Sequence, residues 1–167
     1  MPTSTWTLIQ STTLGAAAAS VTFSSIPATY ADLVVVCSNI NSASGSGRSL
    51  YLVANADTAS TYFDGFASAN GTTSTGSESL RTGFVVMAQA ISTTSNTAAY
   101  IQVMDYTESK RKQVMTRAGH PTTAAPIVLH GYGNLPMTAA INSLQFKLDT
   151  GNMAANSTFS LYGVSAV

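Results

Sequence analysis

The stretch Val21 to Asn39, VTFSSIPATYADLVVVCSN, constrains the fold more than any other. Val21-Thr22-Phe23 alternates apolar and polar residues, the signature of a half-buried strand. Ser24 to Ala28 breaks it, because Pro27 lacks an N–H and fixes its own φ. Leu33-Val34-Val35-Val36-Cys37 is then apolar at successive positions, so both of its faces must be covered. Its β-branched valines disfavour a helix and suit a pleated sheet. A strand of this kind needs a packed layer beneath it and a second cover above. Gly83 to Ala88, with Phe84-Val85-Val86 at its centre, repeats the pattern. The second cover is expected to be another copy of the chain, with Leu33, Val34, Val35, Val36, Phe84, Val85 and Val86 as the interface.

The remaining segments read as short strands between breaks. They are Thr5–Gln10, Leu50–Ala54, Thr61–Phe63, Ala99–Met104, Gln113–Ala118, Ile127–Gly133, Leu144–Leu148 and Thr158–Val164. Asn39 to Ser49 and Phe66 to Ser79 have the Ser, Gly, Thr and Asn composition of loops, and the latter is expected to be a mobile one. Leu14 to Ala19 is too short and lacks the preceding basic residues of a signal segment. No stretch approaches the roughly 20 apolar residues of a membrane-spanning helix. Short strands between breaks, without a 3.6-residue pattern, predict an all-β, two-sheet antiparallel sandwich, jelly-roll-like, over residues 1–167 as a single domain.

Charge narrows the partners. The 167 residues carry 7 Lys and Arg against 7 Asp and Glu, so the net charge is zero and nothing steers the chain to nucleic acid or an anionic membrane. Charged residues make up 8% of the chain, against about 25% in an ordinary soluble domain. A surface built from Ser, Thr, Asn, Gln and Gly is easily desolvated, which favours packing against copies of itself or a scaffold. The one cysteine, Cys37, lies in the valine run and reads as a small core residue.

No catalytic constellation stands out, and the expectation is a non-enzyme without metal or cofactor. His120 and His130 have no Cys or carboxylate at ligand spacing. Asp32, Asp57, Asp64, Glu78, Asp105, Glu108 and Asp149 fall mostly in turns, where Asp caps backbone amides. Asn55-Ala56-Asp57 and Asp64-Gly65 offer oxygen ligands but match no calcium-loop pattern. Lys110-Arg111-Lys112, with Arg117 beyond, is offset by Asp105 and Glu108. The seven tyrosines suit a core, an interface or a sugar platform.

Four segments carry a resemblance. They are Phe23 to Leu33 (FSSIPATYADL), Leu52 to Tyr62 (LVANADTASTY), Thr138 to Leu144 (TAAINSL) and Phe159 to Val164 (FSLYGV), with Trp6-Thr7-Leu8-Ile9 ahead of them. In this order they resemble a group of small β-rich virion proteins of tailed bacteriophages. The resemblance implies a jelly-roll-like particle component, often a homotrimer, made in the host cytoplasm and located in the virion. It implies a capsid decoration (cement) protein that binds the major capsid protein or other virion proteins and stabilises the head shell. The alternative is a receptor- or carbohydrate-binding module of a head fibre, tail fibre or tail adaptor. In that case loops 39–49 and 66–79 and exposed tyrosines would meet a host surface glycan. A weaker third reading is a polysaccharide-degrading enzyme.

Overall fold

A computed structural model describes residues 5–59, 61–70, 73–121 and 126–165. Twelve strands account for it: β1 (Trp6–Thr13), β2 (Ser20–Phe23), β3 (Asp32–Ile40), β4 (Arg48–Ala54), β5 (Tyr62–Asn70), β6 (Thr73–Arg81), β7 (Phe84–Ile91), β8 (Thr97–Val103), β9 (Lys112–His120), β10 (Ile127–Leu135), β11 (Leu144–Leu148) and β12 (Thr158–Val164). Among the described residues there is no helix. The strands form an eight-stranded sheet, β1-β12-β3-β8-β9-β10-β5-β6, and a four-stranded sheet, β2-β11-β4-β7. Neighbouring strands pair antiparallel throughout.

The strand order identifies the topology. Setting aside β5, β6, β9 and β10 leaves β1-β12-β3-β8 facing β2-β11-β4-β7. In chain order these eight strands change sheet at every step except β4 to β7, as in the two nested Greek keys of a jelly roll. The other four are two insertions, β5–β6 between β4 and β7 and β9–β10 between β8 and β11, and both lengthen the same sheet.

The core lies between the sheets. Phe146 of the small sheet stands 5.3 Å from Phe159 of the large one and 6.3 Å from Phe23 beside it. Leu33, Val35 and Cys37 of β3 point into this layer with Ile101 and Val103 of β8. Cys37 is buried, and burial pushes its thiol well above the ordinary range.

The four segments that carry the resemblance are bonded to one another. Asn55 and Ala56 sit in the left-handed region, at φ 50° and 55°, and turn the chain after β4. The Asn55 side chain accepts from the Asn142 amide at 2.9 Å and donates to the Ala140 carbonyl at 2.9 Å. The Tyr62 hydroxyl donates to the Asp57 carbonyl at 2.8 Å and accepts from the Ala54 amide at 3.1 Å. The Ile26 amide donates to Asn142, and the buried Tyr106 hydroxyl donates to the Pro27 carbonyl. The Tyr30 ring occupies the space that a Cβ on Gly163 would need. These residues hold turns to strand ends; their shared role is architectural.

Several expectations need correction. Phe66 to Ser79 is largely a β-hairpin, β5–β6, with Gly71 and Thr72 outside the described residues. Its Ser- and Thr-rich composition reads as loop, but pairing with β10 along β5 makes it strand. His120 ends β9 and is buried, instead of lying in a loop. The loop expected after Ser38 begins later, since β3 runs to Ile40.

Candidate assembly face

The antiparallel register decides which side chains share the outer face of the large sheet. Strand by strand, Leu8, Tyr162, Val34, Gln102, Met115, Tyr132, Gly65 and Glu78 stand in one row across it. The adjacent row runs Ser160, Val36, Tyr100, Arg117, His130, Ala67 and Gly76. Ala98, Gly119, Val128, Ala69 and Ser74 continue a third. Trp6 and Leu80 lie on the same side at opposite ends, two residues from Leu8 and Glu78.

This face collects the exposed grease of the molecule. Among the described residues, the large hydrophobic side chains that remain exposed are Trp6, Leu8, Val36, Leu80, Met115, Val128 and Tyr132. All seven lie on it. Scattered apolar exposure is ordinary, but the gathering of all seven such side chains on one face is of the kind that marks an interaction surface. Three Asp, Glu, Lys or Arg side chains among the described residues stand on this face of the strands, Asp32, Arg117 and Glu78; Asp64, Arg81 and Lys112 of the same sheet lie on its other side. Asp32 is engaged by the Gln102 carboxamide at 2.8 Å and the Asp105 amide at 3.0 Å.

The face is contoured. Val128, His130 and Tyr132 of β10 form a ridge, while Gly65, Ala67 and Ala69 of β5 and Gly119 of β9 leave low ground beside it. Three adjoining hollows of about 570, 400 and 520 Å³ meet at His130. The Trp6 ring lies 5.9 Å from Tyr162 and 6.3 Å from Tyr100, so it spans β3, which runs between them. Tyr132 donates its hydroxyl to the Gln113 carboxamide oxygen.

The structure redistributes the seven residues expected at an interface. Leu33 and Val35 face the core, fully buried. Val34 points outward yet is only 1% exposed, beneath the span of the Trp6 ring. Val36, 38% exposed, is available on the outer face. Phe84 and Val86 belong to the core. Val85 is 2% exposed on the far side of the small sheet, where Phe66 of the β5–β6 hairpin lines the same cleft. The doubly apolar strands therefore receive their second cover from this chain itself. The inference from apolar strand to subunit contact is corrected at all of these positions except Val36.

The candidate chemistry resolves into structural roles. Asp57 accepts from the Ala59 amide and Asp149 from the Thr150 amide. Asp64 is buried against Arg81 at 3.3 Å; burial raises its pKa, and the guanidinium opposes that rise. Lys112 is fully buried, and its ammonium donates to the carbonyls of Glu108, Lys110 (2.6 Å) and Thr138 (3.0 Å). Burial lowers its pKa, while the three carbonyls provide the charge with partners. Lys110 pairs with Asp105 at 2.8 Å in solvent. The basic run is thus a clamped turn and not a patch. Among the described residues no three His, Cys, Asp or Glu side chains gather as a metal site.

The sequence reading did not single out Met115 or Val128, and named Tyr132 only among the seven tyrosines. Their signal was the two-residue period of β9 and β10, which puts Met115 on one face of β9 and Val128 and Tyr132 on one face of β10. That period does not say which side a second sheet will cover.

No family model and no curated protein matches the chain. Among solved structures, a protein of unknown function from Shewanella oneidensis MR-1 aligns over 97% of this chain and 77% of its own, at 12% identity and a TM-score of 0.27. A likeness at that level carries no argument about fold or function.

Proposed function

We propose that the chain is a structural protein of a bacteriophage virion, a capsid decoration (cement) protein that self-associates as a homotrimer and stabilises the head shell. The observation that carries the self-association is the outer face of the large sheet, with its seven exposed large apolar side chains. Eight strands about 4.8 Å apart and up to nine residues long, at about 3.4 Å each, give a face of about 1,000 Å². A stable protein–protein interface takes about 800 Å² from each partner. Further copies of the chain are the occupants that the charge favours, because a nearly neutral, largely apolar face is buried without stranding ions, and a cyclic trimer would bring different parts of that face on neighbouring copies together.

The virion setting rests on the resemblance of the four segments. Their mutual bonding fits a scaffold role, since those residues hold turns and carry no chemistry. Repeated around a symmetric shell, many modest contacts add by avidity, and the major capsid protein is the partner on that shell.

Sedimentation velocity across micromolar concentrations, joined to a binding assay on empty heads of the phage whose genome encodes the chain, tests the reading. Trimers that bind heads and raise their resistance to heat are the expected result. A monomer throughout, with no head binding, overturns it.

A further inference from the structure

A second site lies away from the assembly face. The β5–β6 hairpin overhangs the edge of the small sheet and encloses a cleft of about 370 Å³. That volume is within the range of about 300–1,000 Å³ typical of small-ligand sites. Phe66 and Tyr51 give the cleft apolar surface; Ser68, Thr75, Gln89 and Asp149 give it hydroxyl, carboxamide and carboxylate groups.

Gln89 is the unusual member. It lies within β7 at φ 47°, in the left-handed region that a non-glycine residue occupies at a cost. The pairing of β7 with β4 is irregular there: Arg48 pairs with Ile91 but Leu50 with Met87, so β7 carries extra residues. The Ser49 hydroxyl pins the bulge by accepting from the Gln89 amide at 2.9 Å. Bulges re-aim side chains, and here the result is an exposed carboxamide lining the cleft.

We infer that this cleft binds a short neutral saccharide. A carboxamide both donates and accepts, and the Asp149 carboxylate accepts, as adjacent sugar hydroxyls require. Phe66 and Tyr51 suit the apolar C–H face of a pyranose. The charge selects a neutral ligand: Arg81 and Asp149 line the cleft with opposite signs, and Arg81 is already held by Asp64. The inference is independent of self-assembly, since none of the seven exposed residues of the assembly face lines this cleft.

The test begins with an array of neutral oligosaccharides of glucose, galactose, mannose and N-acetylglucosamine, printed beside sialylated and uronate-containing glycans. Isothermal titration with soluble neutral hits then gives the affinity per site. Gln89→Gly is the decisive variant. Glycine tolerates the left-handed backbone, so thermal stability is expected to hold or rise while affinity falls at least tenfold. Asp149→Asn is expected to weaken binding similarly, and Met115→Lys, far from the cleft, to leave the per-site affinity unchanged. Absence of neutral-glycan binding, binding of anionic glycans alone, or wild-type affinity in Gln89→Gly and Asp149→Asn overturns the inference and leaves the assembly reading standing.

Discussion

Met115→Lys puts the assembly face to its sharpest test. Met115 is 41% exposed, on β9 between Gln102 and Tyr132. In the isolated chain a lysine there reaches water, so folding should change by no more than about 0.5 kcal/mol. At about 2–4 °C per kcal/mol for a domain of this size, the melting temperature should move by no more than about 2 °C. Within an assembly the same ammonium is buried. The ionic neighbour on its own strand is Arg117, two residues along on the same face and of the same sign. An uncompensated buried charge costs about 3–5 kcal/mol. At 1.4 kcal/mol per decade, that weakens each subunit contact by about two to three and a half orders of magnitude. Sedimentation velocity at matched micromolar concentrations should show wild-type oligomer and variant monomer, with circular dichroism melts nearly superimposed. If the variant assembles as the wild type does, this face is not where copies meet.

Other expectations follow from the turns and the core. Tyr62→Phe strips the Ala54 amide and the Asp57 carbonyl of their hydroxyl partner and should cost about 1–3 kcal/mol in chemical denaturation. Burial pushes the Tyr62 hydroxyl up to about 12, above its ordinary value of 10. Its contribution is therefore intact below pH 10 and is lost as pH rises from 10 to 12, so alkaline unfolding should be less steep in Tyr62→Phe; an unchanged alkaline limb would refute that assignment. Gly163→Ala drives a Cβ into the Tyr30 ring and should cost about 1–3 kcal/mol, but much less in a Tyr30→Ala background; equal costs in a double-mutant cycle would show that the ring is not the obstacle. The Cys37 thiol should react with a disulfide reagent only at the rate of unfolding, and prompt labelling of the native protein would contradict its burial.

The fold was largely legible because local rules agreed with one another. Alternation at Val21-Thr22-Phe23, the Pro27 break and the valine run required strands, and those strands are β2 and β3. The β5–β6 hairpin was not legible, because its Ser, Thr and Gly residues stabilise strands only when β10 supplies a neighbour. The assembly face divides in the same way. Low charge was visible in composition; which of the apolar side chains stay exposed was not, and of the seven residues expected at an interface only Val36 is exposed in the folded chain.

What the amino-acid order settles here is periodicity, and with it the strands, their turns and the scarcity of ions. Period two gives every strand two faces and says nothing about which face another layer will claim. Leu33 and Val36 are alike in chemistry and lie three residues apart, yet one is sealed between sheets and the other meets solvent. Only the stacking of eight strands over four, with Trp6 spanning β3 and the hairpin overhanging Val85, decided which apolar side chains were used in folding and which stayed exposed. Burial is a long-range property, set by segments far apart in the chain, so it becomes fixed only when the tertiary structure forms.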